Sequence, residues 1–396
     1  MAKDKKMDIK PMMSPRLPND ISIIIVSYNN SDLLMLTLAS VRRSVEGLKA
    51  EVIVVDNGSQ DDTLSRLRSE TPWVKVIDMG RNAGFSAANN EAMKQCTGHI
   101  VLILNPDTVL PRGTAHAIMA HFDDNPGCGA MGVRMVNGEG RYLGESKRGY
   151  TSISASFFKL SGLWRLAPKS RTLNAYYIGH CPERGVCHAP ILSGACMAFN
   201  HDMIDQAGYF DDTYFMYSED IDLSWRMDQT SSDGNSYRGD ISIIHFKGQS
   251  TPRDKKYIGY FYDSMLLFAA KFEFPKHGQL MNKVTAAGIR VAYYIARLRS
   301  SIQKKREKRR KFTPPQRVLT VRPDDTDVST PGKTTTFAKL AGERAEDYDA
   351  VVFDIDGDMG AAIEYMRKNE RRTMFGFHNP DNGDTLIYFN NGCHKI

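Results

Sequence analysis

No uninterrupted apolar run in this chain reaches the roughly 18 residues that a membrane-spanning helix requires, so integral membrane topology is not expected. The opening stretch Met1–Asp20 is basic and rich in Met and Pro, with no secretory apolar segment; it reads as a flexible terminus. Cysteine is sparse: six residues, scattered without a disulfide framework, fit a reducing cytoplasm. A strong charge excess is also missing. The net charge of +6 is modest, and its unevenness, with a dense basic run at Lys304–Lys311, suggests a local anionic surface and argues against a nucleic-acid-binding protein. What remains, over 396 residues of ordinary apolar and charged content, is a globular chain of roughly two or three domains.

From Ile21 to Val136, short β-branched runs alternate with longer helical stretches, as in βα units that feed a parallel sheet. Strands are expected at Ile21–Val26, Glu51–Val55, Val74–Asp78, Ile100–Leu104 and Ala130–Val136. Two of them end in carboxylates, Asp56 and, just beyond Leu104, Asp107. Open α/β sheets bind ligands at the carboxyl ends of their strands. Either residue alone is equally a helix N-cap or turn former.

Residues 137–189 carry no sustained period and read as a loop-rich insertion with one helix near Ser154–Leu163. Within it, His180, Cys181, Cys187 and His188 are four soft ligands that could hold zinc, although the gap between the cysteines is wider than structural sites usually show. Order resumes with a strand at Ile191–Phe199, helices at Asp202–Ala207 and from about Glu219, a strand at Ile241–His245 and an aromatic-rich helix at Tyr257–Lys271. Gln279–Lys311 reads as one basic amphipathic helix, with Leu280, Val284, Val291, Ile295 and Leu298 at helical spacing. It suits an anionic membrane surface over 280–311 or a core-packed helix with a solvated tail. Thr313, Pro314 and Pro315 then begin a linker to a small α/β appendage, whose strands are expected at Tyr348–Asp354, Arg372–Phe377 and Thr385–Phe389, with a helix at Gly360–Lys368. Asp354, Asp356 and Asp358 look like the opening of a haloacid-dehalogenase phosphatase, in a segment too small to supply the rest of such a site. Gly332, Lys333 and Thr334 lack the upstream glycine of a P-loop.

Seven segments occur in one order: Val26–Asn30, Val55–Ser59, Asn82–Phe85 with Asn89 and Asn90, Asn105–Thr108, Ser193–Ala195, Ser218–Leu223, and His245–Gly248 with Ser250. Together they strongly resemble the family 2 glycosyltransferases of the GT-A fold, particularly the rhamnosyltransferase-like branch acting on bacterial surface polysaccharides. The resemblance covers about Ile21 to Lys271. It implies a Rossmann-like mixed sheet flanked by helices over 21–275, followed by the helical extension 276–312 and the linker and appendage 313–396.

The same resemblance assigns roles. Asp107 and His245 would hold Mg2+ or Mn2+, which offsets the charge of a nucleotide sugar's diphosphate and of the leaving group. Asn105 stands where relatives often have a first aspartate, so the cation should arrive mainly with its nucleotide. Asp56 would accept from the imide N–H of uracil or thymine. Ser27 and Tyr28 would lie beside the base or ribose, Asn82, Gly84 and Phe85 would close around the nucleoside, and Lys247 and Ser250 would reach the diphosphate. Gly194 would allow backbone approach to the donor sugar. Asp220 is the expected general base, ionised at a helix start, with Glu219 orienting the acceptor or the base. The implied activity is inverting transfer from a dTDP- or UDP-sugar, dTDP-rhamnose foremost, to a lipid-linked or saccharide acceptor, at the inner face of the cytoplasmic membrane. A catalytically silent saccharide-binding or scaffold subunit of a membrane assembly is the competing class; it has no need of a base and a metal ligand at once.

Overall fold

The computed structural model describes residues 17–248, 255–307, 312–324, 333–370, 372–389 and 392–396. Ser250, the first 16 residues and residues 308–311 of the basic run lie outside these. Strands β1 (Asn19–Ser27), β2 (Ala50–Asp56), β3 (Lys75–Asp78) and β4 (Gly98–Leu104) pair in parallel in the order β3-β2-β1-β4. Helices α1 (Ser31–Ser44), α2 (Thr63–Glu70) and α3 (Phe85–Met93) form the crossovers. The unbroken aliphatic run in β1 has a simple cause, because both faces of the strand are covered. Ile21, Ile23 and Ile25 enter one core cluster while Ile24 and Val26 enter another on the opposite face. Each such side chain contributes about 1.5–3 kcal/mol by leaving water.

In chain order there follow β5 (Thr108–Val109), α4 (Thr114–Asp124), β6 (Ala130–Val136), β7 (Lys147–Arg148), α5 (Ile153–Ser161), β8 (Val186–His188), β9 (Ile191–Leu192), β10 (Cys196–Asn200), α6 (Asp202–Ala207), α7 (Glu219–Thr230) and β11 (Ser236–His245). β10 enters antiparallel between β4 and β6, and β11 runs parallel to β6. The sheet is therefore mixed, nine-stranded, and flanked by helices. The strand expected at Ile191–Phe199 is split into β9 and β10 by Ser193, Gly194 and Ala195.

The zinc reading is corrected. Cys181 and Cys187 are bonded to each other, and disulfide sulfurs are not thiolate ligands. His188 faces Asp228 at 2.7 Å. The described residues contain no group of three or more His, Cys, Asp or Glu suited to a metal. The expectation of a chain free of disulfides is corrected by the same bond.

Helices α8 (Lys255–Phe268) and α9 (Gln279–Glu307) close one side of the domain. Among the described residues no helix is long and apolar enough to cross a membrane. On α9, Leu280 and Leu298 are 77% and 69% exposed, and Val284, Val291 and Ile295 are exposed too, so this stripe is not buried in a core.

The C-terminal segment is more ordered than its sequence suggests. In addition to β14 (Ala350–Asp354), α10 (Met359–Lys368), β15 (Met374–His378) and β16 (Thr385–Phe389), the presumed linker supplies β12 (Val318–Arg322) and β13 (Lys333–Thr336), and the terminus adds β17 (Gly392–Lys395). They form a six-stranded sheet in the order β13-β12-β14-β15-β16-β17. This sheet shares one hydrophobic cluster with the first domain, in which Leu33, Leu36, Val109, Ile244 and Phe246 meet Phe353, Phe377 and Tyr388. Ion pairs rim the junction: Arg43 with Asp356 and Asp381, Arg66 with Asp384, and Arg141 with Glu370. The phosphatase-like carboxylates are thereby accounted for. Asp354 accepts from the Asp356 amide, Asp358 caps α10 through Ala361, and Asp356 is held by Arg43.

Candidate active site

A cavity of about 1370 Å³ lies at the carboxyl end of the parallel strands, walled by the insertion, by α8 and α9, and by the segment that leads into α7. Its backbone is held in uncommon conformations. Asn29, Tyr217, Ser218 and Lys247 have positive φ (51°, 71°, 66° and 33°), and all four line the cavity. Non-glycine residues adopt such values where surrounding structure enforces them, often at functional sites.

At the nucleoside end, Ser27 and Asp56 are register neighbours at the tips of β1 and β2. Both are fully buried and lie behind the wall, which their successors Tyr28 and Asn57 line. Asp56 Oδ2 accepts from the Ser59 amide at 2.9 Å, while Oδ1 has no partner among the described residues. A buried carboxylate oxygen left open in this way suits an N–H donor from a ligand. Asn57 was not singled out from sequence, yet it organises the neighbouring turn: its Nδ2 donates to Asn82 Oδ1 and to the Gly84 carbonyl, and its Oδ1 accepts from Ala83 N at 2.8 Å. Gly84 is required there. Its φ is +90°, and a Cβ would stand 2.6 Å from the Phe215 carbonyl oxygen. Asn82 and Phe85 line the cavity; Gly84 shapes it from behind.

Beyond the tip of β4, Asp107 is 1% exposed and its Oδ1 lies 3.3 Å from His245 Nε2, with Asn105 Nδ2 3.4 Å from the same nitrogen. The Phe246 amide donates to the Asp107 carbonyl at 2.9 Å, which fixes the two segments to each other. Two ligands of one hard divalent ion at right angles are about 3 Å apart, so this hard oxygen and imidazole fit Mg2+ or Mn2+. The remaining positions would fall to water and phosphate. Lys247 lines the cavity and is paired with Glu145 of the insertion, another residue that sequence reasoning missed. Burial resists the charge on Glu145, but Lys247 and then His245 hold its carboxyl below the usual range.

At the far end, Glu219 and Asp220 open α7 directly after the two strained residues. Gly194 lies against them: its amide donates to Asp220 Oδ2 at 3.2 Å, and a Cβ on it would sit 3.2 Å from Asp220 Cβ. Asp220 also accepts from Ile221 N at 2.8 Å and from Arg148 Nη2 at 2.6 Å. Burial, reinforced by Asp220, pushes Glu219 up to about 8. The adjacent carboxyls therefore differ in environment, one dry and proton-retaining, the other fixed by three donors. Asp222 forms the expected i,i+4 pair with Arg226, 2.6 Å apart, and serves the helix. Of the aromatic turn, Phe215, Met216 and Tyr217 reach the cavity, whereas Tyr214 is core.

A parallel half, a mixed continuation, and carboxylates on the strand tips are the architecture of the GT-A fold. Residues 22–207 match the family model described as "Glycosyl transferase family 2", so the chain carries a family 2 glycosyltransferase domain. Among characterised relatives, it is 27% identical over 248 residues to an N-acetylglucosaminyl-diphospho-decaprenol L-rhamnosyltransferase of Mycobacterium tuberculosis, covering 59% of this chain and 78% of that protein. It is 26% identical over 213 residues to the low-salt glycan biosynthesis hexosyltransferase Agl10 of Haloferax volcanii (52% and 61%). It is also 27% identical over 212 residues to a poly-beta-1,6-N-acetyl-D-glucosamine synthase of Staphylococcus epidermidis (52% and 45%). Among solved structures, S. aureus TarS 1–349 aligns at TM-score 0.44 and 18% identity, covering 68% of this chain and 70% of that one. The mannosyltransferase PcManGT from Pyrobaculum calidifontis, in complex with GDP-Man and Mn2+, aligns at 0.42 and 18%, covering 72% and 79%. Superposition at this level is too loose to transfer geometry.

Proposed function

We propose that this protein is an inverting, divalent-metal-dependent transferase that moves a sugar from a dTDP- or UDP-sugar, with dTDP-rhamnose foremost, to a lipid-linked acceptor in bacterial surface polysaccharide synthesis. One observation carries the reading: a single cavity is lined by the Asp107–His245 pair and by Glu219 and Asp220. Asp56, with one open buried oxygen, favours a pyrimidine with an imide N–H. The bound cation would neutralise the diphosphate and the leaving group. Asp220 takes the proton of the acceptor hydroxyl as that oxygen attacks the anomeric carbon from the face opposite the nucleotide, so no covalent sugar–enzyme intermediate is needed.

A lipid-linked acceptor is preferred to a free saccharide because the wall beyond Asp220 is apolar, with Phe157, Phe261, Met265, Met281 and Ile289 along it. The exposed apolar stripe of α9, interspersed with Lys283, Arg290 and Arg297, suits an anionic membrane surface, which would place the protein peripherally at the cytoplasmic face. Replacing Asp220 by Asn tests the reading. Transfer from dTDP- and UDP-sugars should fall to background while Mn2+-dependent binding of dTDP or UDP stays within about twofold; turnover retained in this variant would overturn the assignment.

A further inference from the structure

The insertion places unassigned cations beside the base. Arg148, on β7, is 8% exposed; its Nη2 donates to Asp220 at 2.6 Å and to the Leu192 carbonyl at 2.8 Å. Its Nε is buried with no partner among the described residues. Lys159, on α5, holds its ammonium 3.7 Å from the centre of the Tyr176 ring. Arg148, Lys159 and Tyr176 all line the cavity, as does Ser152, the residue that caps the N-terminus of α5 by accepting from Ala155 N. The local charge is unbalanced at neutral pH. Glu219 keeps its proton, which leaves two cations against the single carboxylate of Asp220. The phenol of Tyr176 reports this field: burial opposes its ionisation, yet Lys159 and then Arg148 draw it below the ordinary value. A nook with surplus positive charge and an open buried guanidinium nitrogen is suited to an anion.

The donor does not need this nook, since its diphosphate is met by Lys247 and the cation of the Asp107–His245 pair. Arg148 instead holds the group that faces the acceptor. Arg148 and Gly194 both donate to Asp220 Oδ2, and Ile221 N donates to Oδ1, so the bridge occupies the base where an acceptor hydroxyl would have to bond, for as long as it lasts.

We propose that Arg148, Lys159 and Tyr176 form a subsite for a phosphate carried by the acceptor, and that its occupation draws Arg148 off Asp220 and frees the base. This rests on the reading of Asp220 as base. With the phosphate seated, the acceptor oxygen bonds to the anomeric carbon and the bond from that carbon to the diphosphate breaks. Its electron pair leaves with the nucleoside diphosphate, and the hydroxyl proton passes to Asp220. Arg148 is a positioning residue that couples acceptor recognition to base release, and it suppresses wasteful attack by water while the subsite is empty.

The test uses the full chain with Mg2+ and a donor sugar nucleotide, comparing the native protein with Arg148→Gln. Three rates are read: donor hydrolysis without acceptor, transfer to a short-chain lipid diphosphate sugar, and transfer to the same sugar without phosphate. Loss of one charge-assisted contact should lower kcat/KM for the diphosphate acceptor about 10- to 100-fold. Donor hydrolysis and transfer to the phosphate-free sugar should rise in Arg148→Gln, since Asp220 is then released at all times, and a fall in either would overturn the gating role. Inorganic phosphate should accelerate donor hydrolysis by the native chain and not by Arg148→Gln, which separates a free anion from a lipid headgroup as the trigger. Equal losses with both acceptors, at an unchanged melting temperature, would overturn the subsite while leaving the transferase reading intact. If no donor is turned over by the native chain under any condition, both readings fall. Should Arg148→Gln not fold, Lys159→Gln must show the same selectivity for the phosphate-bearing acceptor, and its absence there is equally decisive.

Discussion

Glu219 gives the sharpest link between the site and a solution measurement. It is 6% exposed, its Oε2 has no hydrogen-bond partner among the described residues, and its carboxyl stands at about 8 against an ordinary 4.5. The sign follows from proton counting. Between those two values the folded protein holds a proton that the unfolded chain has released, so folding stability must fall as pH rises through the window. At 1.36 kcal/mol for each pH unit, the whole window amounts to about 5 kcal/mol, nearly all of it present below pH 4.5 and lost by pH 8. Replacing Glu219 by Gln removes the titration and keeps the shape. Urea unfolding of the native chain and of Glu219→Gln from pH 5 to pH 8 should therefore show the variant losing less stability with pH, by roughly 3–4 kcal/mol across that range. The variant should overtake the native chain at the alkaline end. Parallel stability curves for the two proteins would refute the claim that Glu219 is protonated in the folded site.

Three further outcomes are expected. Asp107→Asn should weaken Mn2+-dependent binding of dTDP or UDP by more than about 100-fold, beyond the loss usual for an outer-shell change, while metal-free nucleotide binding stays near the native value in calorimetric titration; an unchanged Mn2+ requirement would remove Asp107 from the metal. Phe377→Ala should cost about 3–5 kcal/mol in unfolding experiments, because the ring is fully buried 5.2 Å from that of Phe246. The same variant, assayed where it remains folded, should need more Mn2+ for half-maximal donor binding, since Phe246 adjoins His245; an unaltered requirement would show the packing to be mechanically idle. Liposomes of anionic lipid should float the full chain but not one ended at Phe274, and equal flotation would sink the role given to α9.

The nucleotide-binding half was legible because its signal is redundant. Each of β1, β2 and β4 holds a continuous aliphatic run buried on both faces, and at the end of β2 and just past β4 come the carboxylates and amides that line or back the cavity. Where a single residue must satisfy a contact far away in sequence, periodicity failed. Ile191–Phe199 looked like one strand, but Gly194 has to leave the ladder to meet Asp220. The strands β12, β13 and β17 escaped notice because short, Thr-rich or polar segments become strands only through the neighbours that pair with them. Two cysteines near two histidines read as possible zinc ligands and the bond between the sulfurs was not foreseen, since spacing along the chain does not report the direction of the sulfurs. Arg148 and Lys159 lie in an aperiodic insertion, and no local pattern connects them to a carboxylate 72 residues beyond Arg148.

The packing of Phe246 against Phe377 and Tyr388 bears on how the enzyme is made as well as how it stands. Phe377 and Tyr388 lie far beyond Phe246 in sequence, so a chain can build its parallel sheet before the aromatic backing of the segment that carries His245 is in place. That end of the cavity is firm only once the second sheet has docked, and whatever loosens the second sheet loosens the Asp107–His245 pair with it.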